Sequence, residues 1–120
     1  VLHPEDLVGM QGLVKNITVK PALANYIVSL VQATRAPGQL SPRIARFIQY
    51  GASPRATIAL SMAARAVALL EDRDFATPDD VKSVAPDVLR HRVLLTYEAE
   101  ADNISVDEVI REILGSVKTP

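Results

Sequence analysis

With 120 residues, 48% of them hydrophobic and 22% charged, the chain has the material for one globular domain with its own core, and it is too short for two. It contains no Cys, which excludes a disulfide framework, a thiol nucleophile and a cysteine zinc site, and which fits a reducing compartment such as the cytoplasm. Fourteen acidic against thirteen basic residues give a net charge of −1, arguing against the uniformly basic surface of a sequence-independent nucleic-acid binder.

Aromatic residues make up only 4%, with no Trp, so the core must come from Ala, Val, Leu and Ile, a composition that favours closely packed helices. Charge is uneven along the chain. Residues 1–55 carry six basic and two acidic side chains, and residues 56–120 carry seven basic and twelve acidic ones, so one face could meet an anion and another a basic partner. An unevenly charged solvated surface is the simpler alternative. No apolar run approaches the roughly 20 residues that span a bilayer, and no charged lead-in precedes an apolar stretch, so neither membrane insertion nor a signal peptide is expected.

His3-Pro-Glu-Asp6 reads as a helix start, with Pro4 preset for the first turn and acids at the positive dipole end. Leu7, Met10, Leu13 and Val14 follow at helical spacing to about Asn16. Residues 17–19 read as extended. A second helix is expected from Pro21, with Leu23, Tyr26, Ile27, Leu30 and Val31 on one stripe, ending before the Pro37-Gly38 turn. Ser41-Pro42 caps and opens a third, to about Gln49, carrying Ile44, Phe47 and Ile48. From Pro54 to about Glu71 the residues leave almost no polar face, the pattern of a central, enclosed helix.

Thr77-Pro-Asp-Asp80 signals another start, for a helix through about Val84 that the Ala85-Pro-Asp87 segment breaks. Residues 93–96 read as extended and as a partner for residues 17–19. Ser105-Val-Asp-Glu108 is a capping box opening a last helix to about Leu114, with Gly115 as its stop and residues 116–120 as a frayed tail. The expected fold is all-α: a small helical bundle, residues 1–120 as one domain, with a minor two-stranded extended pairing.

Catalytic patterns are scarce. Two separated histidines and no Cys make a hydrolytic triad improbable, no spacing matches a metal site, and the five glycines include no phosphate loop of the G-x-x-x-x-G-K-[ST] type. Residues 50–56, Tyr-Gly-Ala-Ser-Pro-Arg-Ala, are different. Gly51 permits a close backbone approach or an unusual φ, Ser53 can cap, Pro54 suits the first helical position, and Arg55 falls in the first turn of an otherwise apolar helix. A cation there opposes the helix dipole by roughly 0.3–1 kcal/mol unless something negative arrives, and phosphate would supply that charge. An Arg paired with an acidic neighbour or lying on the surface is the alternative. Arg90, His91 and Arg92 read as a basic helix end, Asp79 and Asp80 as caps and dipole partners, Tyr26 and Phe47 as core.

Gly51-Ala-Ser-Pro-Arg-Ala56, the Ala-rich stretch 60–70, Arg73-Asp-Phe-Ala-Thr-Pro-Asp-Asp-Val81 and Val88-Leu-Arg-His-Arg-Val93 together resemble the C-terminal lid of MoxR-type AAA+ ATPases. Tyr26 to Arg35 is similar to the helix that precedes the first of these motifs in that family, and the lid of the magnesium-chelatase ATPase subunit is a more distant likeness. The resemblance covers nearly the whole chain and implies a helical lid over the nucleotide of a separate α/β core. It implies that Arg55 is the sensor-2 arginine, reaching the γ-phosphate of ATP, with Gly51, Ala52, Ser53 and Pro54 as supporting residues of the nucleotide site.

The same likeness implies ATP with Mg as cofactor, bound mainly by the core. The implied partners are that core, neighbouring subunits of a ring, expected as a hexamer, and a client protein to be remodelled or matured. The phosphate loop, the magnesium-binding acids and the arginine finger belong to that core, so the 120 residues are expected to be part of a longer ATPase and inactive alone. The rival expectation is a free-standing helical interaction module; a helix-turn-helix DNA binder is disfavoured because the central helix offers only Arg55 and Arg65 over an apolar surface.

Overall fold

The computed structural model describes residue 9 and residues 12–120. Residues 12–15 are helical, Val14 is buried and Leu13 is exposed. The proposed helix start at residues 3–6, together with Leu7 and Met10, lies outside the described residues.

Helix α1 (Pro21–Arg35) begins with Pro in its first turn and buries Leu23, Tyr26, Ile27, Leu30 and Val31, the expected stripe, continued by Thr34. It ends where Pro37 cannot continue it, and a 3-10 turn (Pro37–Gln39) leads to Ser41, which caps α2 (Pro42–Ala45) by accepting from the Ile44 N–H. Here the structure departs from the sequence reading. α2 stops after one turn, and Ile48–Tyr50 is a strand, β1, not a helix end. The Thr96 N–H and hydroxyl donate to the carbonyls of Phe47 and Arg46, at 2.9 and 2.8 Å, satisfying the orphan carbonyls of the short helix and holding β2 (Leu94–Leu95) beside β1.

β1 and β2 pair antiparallel, with Ile48 opposite Leu95 and Tyr50 opposite Leu94 across an irregular register. The expected pairing of residues 17–19 with 93–96 is therefore wrong on its partner. Thr18 instead forms a parallel bridge to Phe75, donating to Asp74 and accepting from the Ala76 N–H, both at 2.9 Å.

Helix α3 (Arg55–Leu70) packs most extensively on α4 (Pro78–Leu89). Its buried stripe is Ala56, Leu60, Ala64 and Ala68, spaced by four, and three of the four are Ala, which lets the neighbouring backbone approach closely. The rest is not enclosed as expected: Ile58 is 66% and Leu70 78% exposed. α3 closes with Asp72 in the left-handed region at φ 59°; the Arg73 N–H reaches back to Ala68 and the Asp72 N–H to Leu69, a Schellman ending without glycine.

α4 runs past Pro86 to Leu89, where a break had been expected. Proline in a helix interior removes one hydrogen bond, but Val81, Ala85 and Leu89 are fully buried at spacings of four, and that continuous apolar contact holds the helix together. After β2, Thr96 caps a short helix α5 (Tyr97–Ala101), which the sequence reading missed and which ends with Asn103 left-handed at φ 56°. Ser105 caps α6 (Val106–Ser116) through the Glu108 N–H. This helix passes through Gly115, whose φ is not positive, so Gly115 is no stop. The core gathers Leu30, Ile44, Leu60, Leu89, Ile110 and Ile113, all at most 0% exposed, from five helices. Val117 packs against it from the C-terminal segment.

Candidate functional site

The loop from Gly51 to Pro54 is built against the C-terminal end of α1. A Cβ on Gly51 would lie 2.2 Å from the Thr34 carbonyl oxygen and 2.6 Å from the Arg35 backbone nitrogen. No described glycine has a positive φ, so of the two roles foreseen for Gly51, close approach is the one the backbone uses. The Ala52 N–H donates to Thr34 Oγ1 at 2.9 Å, and the Ala52 methyl and Ala56 are fully buried. The inner half of the loop is thus a clamp. Its outer half, Ser53, Pro54 and Arg55, is exposed.

Helix α3 starts without a side-chain cap and without an acidic residue in its first turn. The Ser53 hydroxyl does not cap it, contrary to expectation: the Ala56 and Thr57 N–H groups donate to the Ser53 and Pro54 main-chain carbonyls at 2.9 and 3.1 Å. With those amides spent, the Arg55 guanidinium is the group at this end that can bring positive charge to an anion. Among the described residues no carboxylate lies within ion-pair distance of Arg55, and the same holds for Arg35, Arg65, Arg92 and Arg111. Arg55 differs in standing at the positive end of a 16-residue helix dipole, where its charge is unfavourable until an anion offsets it.

The four arginines that do have carboxylate partners, Arg43, Arg46, Arg73 and Arg90, have structural work. Arg73 grips Asp80 bidentately at 2.7 and 2.8 Å, and Arg90 grips Asp107 at 2.8 and 3.2 Å and Asp87 at 3.0 Å. The Arg73 guanidinium, helped by the Thr77 N–H, holds the Asp80 carboxyl below the usual carboxylate range against the opposing effect of burial. Arg90 does the same for Asp107. Arg43 pairs with Glu112 and, with Arg46, stacks on the Phe47 ring at 5.4 and 5.5 Å. Asp80 is accordingly a cap and ion-pair partner, while His91 and Arg92 lie exposed. Tyr26 and Phe47 are core, 3% and 2% exposed.

Thr34 is the residue that the sequence reading passed over. It is fully buried, donates to the Val31 carbonyl at 2.6 Å and receives the Ala52 N–H. Its signal was present: counting Leu23, Ile27, Leu30, Val31 and Thr34 along α1 places a hydroxyl on the buried stripe, where it needs partners. A groove of about 680 Å³ runs between the second half of α1 and the C-terminal segment, lined by Ser29, Gln32, Arg35, Ser116 and Lys118 among others, and Arg55 is not on it. The loop and Arg55 form an open corner rather than a pocket.

Residues 40–113, which include this loop, match the AAA lid domain family. The chain is 45% identical to chaperone MoxR1 of Mycobacterium tuberculosis over its whole length, and 39% identical to protein MoxR of Methylorubrum extorquens over 87% of it. It covers 32% of each of those proteins, so it spans about a third of the length of these curated relatives. A crystal structure from Cytophaga hutchinsonii, provisionally described as an ATPase, superposes on 97% of the chain with a TM-score of 0.91 at 40% identity, the chain covering 36% of it. The chain belongs to the AAA lid domain family, and within it to the lids of the MoxR type.

Proposed function

We propose that this domain is the nucleotide-sensing lid of a MoxR-type ATPase and that Arg55 is its sensor-2 arginine. The observation that carries the reading is an exposed guanidinium without an acidic partner among the described residues, at the N-terminus of α3, on a loop locked to α1 by Gly51 and Ala52. A planar guanidinium bridges phosphate oxygens bidentately and offsets the charge that spreads over them during phosphoryl transfer. Ser53 and Pro54 set the approach to it, and Gly51 and Ala52 support the nucleotide site by fixing the loop. ATP with Mg²⁺ supplies the phosphoryl group to be transferred. The residues fit its phosphate end and not its metal, because no group of three His, Asp or Glu side chains among the described residues could hold a cation; the metal falls to the α/β core.

In this reading the lid packs over that core and against neighbouring subunits of a ring, a hexamer, and passes nucleotide state on to a client protein, which the ring remodels or matures in the cytoplasm. No described helix is long and apolar enough to cross a membrane. The matched relatives carry this stretch as about a third of a longer chain, which favours a lid over a free-standing interaction module. In the full-length ATPase, Arg55→Ala is expected to lower ATP hydrolysis by about tenfold or more while circular dichroism of the protein stays unchanged. Wild-type turnover in that variant would sink the assignment.

A further inference from the structure

We infer that Thr34 is a positioning residue that aims Arg55 through the Gly51–Pro54 loop; the inference rests on the sensor reading of Arg55. Beside the Tyr26 hydroxyl, Thr34 and Asp80 are the buried polar side chains of the described core, and Asp80 is accounted for by Arg73 and the α4 cap. Thr34 serves no cap. It sits one residue before the end of α1, its hydroxyl proton committed to the Val31 carbonyl, which orients the Oγ1 lone pair toward the loop. That lone pair takes the Ala52 N–H at 2.9 Å, while the Thr34 carbonyl presses on Gly51 so closely that no side chain fits between.

Two consecutive loop residues are therefore fixed to one residue of α1, one by a hydrogen bond and one by contact. Only Ser53 and Pro54 separate this anchor from Arg55, and Pro54 has its φ locked at −56°. So short a tether transmits the position of α1 to the start of α3. Deleting the hydroxyl leaves the Ala52 N–H buried and unpaired, and the loop must shift to reach another acceptor. A displacement of about 1 Å is enough to cost a charge-stabilising group much of its effect. Because Arg55 acts on charge that develops in transfer, the loss falls on kcat more than on the KM for ATP.

The test uses the full-length ATPase and a double-mutant cycle. Thr34→Val keeps shape and removes the hydroxyl, Thr34→Ser keeps the hydroxyl, and each is combined with Arg55→Ala; Thr34→Ala is read in the same way if the Val variant does not purify folded. Thr34→Val is expected to reduce kcat by about fivefold with KM within about twofold of wild type, and Thr34→Ser to restore it. In the Arg55→Ala background, Thr34→Val should cost nothing further. Losses that multiply in the double variant, or a wild-type kcat for Thr34→Val beside an impaired Arg55→Ala, overturn the role of Thr34 and leave the sensor reading standing. Wild-type hydrolysis by Arg55→Ala overturns the sensor reading itself, and the Thr34 inference with it.

Discussion

At its N-terminus α4 is fully served: Thr77 accepts from the Asp80 N–H, the Asp80 carboxylate accepts from the Thr77 N–H, Asp79 adds a second negative charge, and Arg73 closes over the pair. The N-terminus of α3, one helix earlier, has no side-chain cap, no acid and an arginine in its first turn. The same residue type thus plays opposite parts at the two corners. Arg73 completes a helix start, whereas Arg55 leaves one electrostatically incomplete. Ser or Thr caps α2, α4, α5 and α6, whereas α1 and α3 start without a side-chain cap or a first-turn acid, and of these two only α3 carries an arginine in its first turn.

The comparison can be broken most forcefully at Gly51. Gly51→Ala drives a methyl into the Thr34 carbonyl, and chemical denaturation is expected to show a loss of about 3 kcal/mol. An unchanged midpoint would mean that the loop is not clamped. Next comes the satisfied corner. Asp80→Asn keeps the shape of the cap but strips Arg73 of its counter-charge at a site only 5% exposed on the Asp side, for an expected loss of about 2 kcal/mol at neutral pH.

The sign of its pH dependence follows from the depressed Asp80 carboxyl. Its stabilisation is complete above the ordinary carboxylate value of about 3.9 and is lost as pH falls through the lower value of the folded protein. The stability gap between wild type and Asp80→Asn should therefore close on acidification; a gap that widened would contradict the ion pair.

The smallest effect sharpens the contrast by making the two corners alike. Ser53→Asp gives α3 an acidic residue at its start and Arg55 a neighbour of opposite charge, which should raise thermal stability by about 0.5 kcal/mol and lower ATP hydrolysis in the full-length protein. A gain in stability with hydrolysis untouched would show that the vacancy at this corner has no bearing on turnover.

Local chemistry was the most readable part of the sequence. Pro21, Ser41, Thr77 and Ser105 each announced a helix start that the structure contains, because caps depend on neighbours within one turn. Gly51 was recognisable as a point of close approach, though not what it approaches. What escaped the reading depends on partners far along the chain. Ile48 becomes a strand because Thr96, some fifty residues later, takes the carbonyls that would have prolonged α2. Pro86 stays helical because Val81, Ala85 and Leu89 have a buried surface to lie on. Gly115 fails as a stop because its φ does not turn positive, the conformation for which glycine is favoured at helix ends, and the helix runs on to Ser116. Thr34 was passed over because the stripe it belongs to was counted by its apolar residues alone.

The ending of α3 has a mechanical meaning. With the turn closed at Asp72 and Arg73 tied to the first turn of α4, the two helices form a braced pair whose long arm is α3. Sixteen residues of helix measure about 24 Å, so a tilt of about 10° pivoting at Arg55 would sweep Leu70 through about 4 Å. A small tilt at the start of α3 is in this way magnified, at the far end of the arm, into a displacement nearly the width of a side chain.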